Sequence, residues 1–268
     1  MRWWPFDRGN KGAEEEAAKG EQSYQLPTVS IVLEDEKIAD LYELLAISRG
    51  VLRDQLQVIE ADVRALRGAL KRCDRKKRPL EWARVQRSLG HALLVNGEWA
   101  DEFGGSVDTT TLKRGVIVTS DHSGDAYLRD AASTYREALK VYTKPACPIE
   151  WASTQNNLGT ALGALGLKLS ETKEGPSLVE SAINAYRSSL EVRTRETRPL
   201  EWALTKQNIG QALYYLAVMG VSGAERKTFA VGARMALEEA CEVYKKNGNS
   251  QAVSALERQL SYVRKDFC

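Results

Sequence analysis

From Lys37 onward, apolar residues recur at three- and four-residue intervals, the period of a helix that buries one face. Ala152, Leu158, Ala161, Leu162 and Leu165 form one such stripe; Leu178, Ala182, Ile183, Ala185, Tyr186 and Leu190 form the next. Each stripe predicts one helix, and successive stripes predict antiparallel hairpins. Three of the stripes open on a proline, whose missing N–H costs nothing in a first helical turn. A glutamate follows two positions later, near the positive end of the helix dipole. Residues 1–36 lack this period, and with Glu14-Glu15-Glu16 and small polar residues they read as a flexible arm. The expected organisation is therefore all-α, with an arm over 1–36 and a helical domain over 37–268.

The stripes repeat. Arg78-Pro79-Leu80-Glu81-Trp82-Ala83, Cys147-Pro148-Ile149-Glu150-Trp151-Ala152 and Arg198-Pro199-Leu200-Glu201-Trp202-Ala203 align without gaps, each running on into a glycine at Gly90, Gly159 or Gly210. A second motif follows each block and begins at Tyr135, Tyr186 and Leu237. Trp151 and Trp202 stand 51 residues apart, as do Tyr135, Tyr186 and Leu237, whereas Trp82 and Trp151 are 69 apart. The first unit thus carries 18 extra residues, within 97–125. The same steps place a further second motif at Leu66-Arg67-Gly68-Ala69-Leu70-Lys71 and a degenerate final copy from Val253 to Leu260, giving about four units. A glycine in mid-helix costs ~1 kcal/mol against alanine, so its recurrence at one register predicts a close approach by a facing helix. A tryptophan present in every unit predicts a stacking anchor between hairpins.

Leu-Gly followed by a small or aromatic residue, then Ala-x-x-x-Tyr and a closing proline, resembles the tetratricopeptide repeat, and Asn156-Asn157-Leu158-Gly159 is similar to its kinesin-light-chain subtype. The resemblance implies a right-handed superhelix of antiparallel helix hairpins, an α-solenoid. The family unit is 34 residues, so a 51-residue unit predicts a longer entry to the first helix and a longer loop within the hairpin, such as 166–177. It also implies a concave face lined by first helices, with Arg84, Arg87 and His91, then Ser153, Asn156 and Thr160, then Leu204, Gln207 and Gln211 pointing inward. Such a polar row suits a peptide backbone or an acidic tail.

Function expectations follow from what varies between units and from what is missing. A protein-interaction adaptor or scaffold binding a peptide or protein on the concave face is the first reading. The alternative is a regulatory or chaperone subunit that carries one client through the 97–125 insert or the tryptophan-bearing Met1–Phe6 segment. In the insert, 115–119 has the composition of a short strand. No phosphate loop, H-E-x-x-H or G-x-S-x-G is present, so no enzyme, cofactor or catalytic residue is expected.

Composition changes little in this picture. The net charge of +2 predicts no nucleic-acid partner, and no apolar run is long enough to span a bilayer or to form a signal peptide, so neither stable membrane anchoring nor export is expected. Four cysteines without C-x-x-C spacing and two histidines offer no zinc pattern and read as free thiols in a cytoplasmic protein. The run Arg72, Arg75, Lys76, Lys77 and Arg78 reads as a solvated turn, with an acidic partner as the functional option.

Overall fold

A computed structural model describes residues 54–103, 124–219 and 223–267. Every regular element among these residues is a helix: α1 Asp54–Arg72, α2 Pro79–Phe103, α3 Gly124–Leu139, α4 Pro148–Lys168, α5 Glu174–Leu190, α6 Pro199–Val218, α7 Gly223–Lys246 and α8 Ser250–Phe267. Each helix packs chiefly on its neighbours in sequence, and α2 with α3, α4 with α5, and α6 with α7 form the tightest pairs. The 1–36 arm, the helical onset at Lys37, the short strand at 115–119 and Cys268 lie outside the described residues.

The glycine register explains the pairing. A Cβ placed on Gly90 would lie 2.6 Å from the Tyr135 ring, one on Gly159 would lie 2.6 Å from the Tyr186 ring, and one on Gly210 would lie 2.7 Å from Leu237. The first helix of each hairpin thus leaves a notch, and the opening residue of the second motif fills it. The predicted close approach is present, and the approaching group is a side chain rather than a helix backbone. Two turns further on, Gly97 faces Leu128 and Gly166 faces Val179. Because the later residue of each first helix meets the earlier residue of the second, the pairs run antiparallel. The third unit has Ala217 and Ala230 at these registers, both buried, so the small and large partners of the other hairpins become two small ones.

The helices of the second unit are longer than expected, and the loop is shorter. Gly166 lies inside α4, and only 169–173 separate α4 from α5. The residues in excess of a 34-residue unit therefore extend helices rather than a loop. Gly166 was expected to start that loop; its missing side chain instead makes room for Val179 and for the Gly175 carbonyl, which a Cβ would meet at 2.9 Å.

The turns between units are copies of one another. Arg78, Cys147 and Arg198 each donate a backbone N–H to the carbonyl four residues earlier, at Asp74, Thr143 and Thr194, and then precede the helix-opening proline. Trp82, Trp151 and Trp202 follow one turn later and are half-buried, not fully packed. Trp82 and Trp151 border the buried cluster of Ala83, Ala138 and Tyr142, which bridges the first two complete units. Seven residues before each tryptophan a cation lies over its indole: Arg75 at 4.6 Å, Lys144 at 5.9 Å and Arg195 at 5.5 Å. The same cations reach acids of the next second motif, at Glu137, Glu191 and Glu242. Arg75 is therefore part of the stacking, and Arg78 pairs with Glu81 at 3.0 Å.

One buried residue breaks the register. Asn96 is 2% exposed, and neither amide atom has a hydrogen-bond partner among the described residues. The equivalent positions hold Leu165 and Leu216, both buried. A buried amide without partners carries its full desolvation cost, about 1–3 kcal/mol. Asn96→Leu is expected to raise stability by about 1–2 kcal/mol, read as a higher urea midpoint at unchanged slope. A loss of stability would mean that the site is shaped for an amide.

Candidate partner-binding face

The nine residues expected on the concave row all fall on the first helices α2, α4 and α6, which lie side by side. The contacts between these helices come from that row and from its neighbours. Arg84, Arg87 and His91 are half-buried on α2; Ser153 is half-buried while Asn156 and Thr160 are buried on α4; Leu204 and Gln207 are half-buried and Gln211 is buried on α6. The row is therefore partly surface and partly seam.

On α2, Arg87 lies 5.8 Å from the centre of the Tyr142 ring. His91 packs edge-on against Tyr135 and accepts a hydrogen bond at Nε2 from the Asn157 amide, at 2.8 Å. Nε2 must be unprotonated to accept. Burial, assisted by the charge of Arg87, lowers the His91 pKa from 6.5 to about 4. The unfolded chain takes up a proton near pH 6.5 while the folded chain refuses it, so the His91 contribution is complete above pH 6.5 and is lost as pH falls towards 4. Between pH 6.5 and 5 the loss is expected to reach about 2 kcal/mol at most, since a half-buried ring keeps some hydration. Urea midpoints of the wild type and of His91→Gln should diverge in pH slope over this interval; parallel slopes would contradict the assignment.

Between α4 and α6 the seam is a connected polar network. Arg193, 9% exposed, donates to Ser153 Oγ at 3.1 Å and to Thr205 Oγ1 at 3.2 Å. Thr205 Oγ1 lies 3.1 Å from Asn156 Oδ1 and 2.8 Å from the Glu201 carbonyl, and its single proton serves one of them. The Asn208 amide donates to the same Asn156 oxygen at 3.3 Å. Thr160 donates to the Asn156 carbonyl and accepts from the Tyr186 hydroxyl at 3.3 Å. Asn156 and Thr160 are thus committed to internal bonds. Their expected inward position is compatible with this, but Asn156 Oδ1 and Thr160 Oγ1 are already bonded within the chain. The row side chains with access left are Arg84, Arg87, His91, Ser153, Leu204 and Gln207.

Asn157, Arg193, Thr205 and Asn208 complete the seam and were not among the expected site residues. A signal for Arg193 was present: its register holds Tyr142 and Tyr244 in neighbouring units, so a cation there breaks an aromatic column. Among the described residues no three metal-ligating side chains converge, and no helix is long and apolar enough to cross a membrane. Family models and curated proteins yield no match to this chain.

Proposed function

We propose that the chain is an adaptor of the tetratricopeptide type, its hairpins wound into a right-handed superhelix, that binds a protein or peptide segment across α2, α4 and α6. The 51-residue register and the glycine-to-second-motif packing support the family reading. The observation that carries the binding reading is the change of character along two equivalent rows. The first row runs Arg84, Ser153, Leu204 and the second Arg87, Asn156, Gln207, cationic at α2 and neutral or apolar at α6. Stacking demands sameness from unit to unit, so divergence on the accessible part of the row favours a partner with matching asymmetry. A segment with carboxylates over α2 and an apolar residue over α6 fits, since guanidinium groups pair with carboxylates in bidentate fashion. The nine row residues remain the proposed site, with Arg84, Arg87, Leu204 and Gln207 as its contact points.

A displayed random-peptide library selected on the wild-type chain tests this. Enriched peptides should carry acidic residues at one end, and should lose at least about tenfold in affinity for Arg84→Ala/Arg87→Ala. Peptides without acidic bias, or peptides that bind both proteins equally, would contradict the proposal.

A further inference from the structure

The inter-unit edge carries a second repeated pattern that stacking does not require. Leu80, Ile149 and Leu200 occupy the second position of α2, α4 and α6 and are 55, 46 and 44% exposed. The units have diverged one helical turn further on, at Arg84, Ser153 and Leu204, yet each keeps an aliphatic side chain here, facing water. The pattern ends at α8, where the equivalent residue is the exposed Gln251. A row of exposed aliphatics at one edge marks a contact surface more often than isolated exposed residues do.

Four residues before each aliphatic, on the turn itself, the register reads Lys76, Pro145 and Glu196, all exposed. Of the charges around them, Arg75 pairs with Glu137, Arg78 with Glu81, Arg195 with Glu242 and Arg198 with Glu201. This leaves Lys76 and Lys77 at the first turn and Glu196 at the third without an ion pair among the described residues. The edge therefore changes sign from its first unit to its third, with a neutral residue in the middle. Such a surface is complementary to itself when reversed.

We propose that this edge joins two copies of the chain about a twofold axis beside Ile149. In this antiparallel arrangement Ile149 meets Ile149 of the second copy, Leu80 meets the second copy's Leu200, and Lys76 meets the second copy's Glu196. One contact between identical patches then buries all three aliphatics and pairs both ends, as an isologous interface requires. An anionic membrane is a poorer occupant, because Glu150 and Glu196, which have no ion pair among the described residues, would face its headgroups. In the twofold contact Glu81 and Glu201 keep Arg78 and Arg198, Glu196 gains a cation, and Glu150 beside the axis is the one repulsive element that the apolar contact offsets. The patch is small, so the dimer is a weak one with a dissociation constant of micromolar order.

Sedimentation equilibrium of the full chain over a wide concentration range, with thermal melts as a fold control, tests the proposal. The wild type is expected to dimerise and Ile149→Asp to remain monomeric at unchanged melting temperature. Lys76→Glu and Glu196→Lys should each weaken the dimer about tenfold, since each creates two like-charge contacts, and the double reversal should restore it. A monomeric wild type, a dimer indifferent to Ile149→Asp, or a double reversal no tighter than the single ones would each overturn it. Flotation of monomeric wild type with phosphatidylserine vesicles, abolished by Ile149→Asp, would assign the edge to a membrane and overturn it as well.

Discussion

Gly159→Leu is expected to lower stability by about 3 kcal/mol or more. A Cβ there would meet Tyr186 Cε1 at 2.6 Å and Cδ1 at 2.7 Å. The ring is 4% exposed and its hydroxyl is bonded to Thr160, so it has no empty space to retreat into. Replacing glycine in mid-helix gains ~1 kcal/mol of propensity, which offsets only part of the overpacking. Gly68→Ala supplies the control: among the described residues its Cβ would meet only Arg72 Nη1, at 3.5 Å, so the propensity gain should appear as a small increase in stability. Urea unfolding of both variants checks the pair. A Gly159→Leu protein as stable as the wild type would mean that the notch does not set the hairpin spacing.

Arg193→Ala is expected to cost about 3 kcal/mol. The guanidinium is nearly buried and bridges Ser153 on α4 to Thr205 on α6. Its removal leaves a cavity and takes from the Ser153 hydroxyl the donor it faces. Arg193→Tyr should cost less, because the same register accepts Tyr142 and Tyr244, both buried, in neighbouring units. If the two variants lose equally, the polar bridge rather than the filling of the slot accounts for the effect.

Much of the fold is legible in the sequence because stacking imposes the same demand on every unit. The Pro-Leu/Ile-Glu-Trp-Ala block marks helix starts at Pro79, Pro148 and Pro199, and the glycine register marks the notches. The helix lengths were harder to read: Gly166 resembles a loop residue by type, and only its contact with Val179 shows that it continues α4. The tryptophans illustrate a different limit. Recurrence identifies them as anchors, but not that they are half-buried under a cation supplied seven residues earlier.

The candidate face was legible as a row but not in depth. Helical spacing places Arg84, Ser153 and Leu204 on one line, whereas their burial depends on how closely the next first helix approaches. That approach converts Asn156 and Thr160 from prospective contacts into seam residues, through Thr205, Asn208 and Tyr186. The Pro-Leu/Ile-Glu-Trp-Ala block combines both roles: its tryptophan faces the stack and its aliphatic residue faces water.

The central claim is that this repeat binds a partner through the accessible part of the first-helix row. Quantitative affinity enrichment from the native cell extract tests it most directly, comparing the wild type with Arg84→Ala/Arg87→Ala/Gln207→Ala at matched melting temperature and with a chain lacking residues 1–30. The account predicts that a defined set of proteins is lost from the row variant and kept by the truncated chain. An enrichment profile unchanged by the row variant but lost on truncation would contradict it.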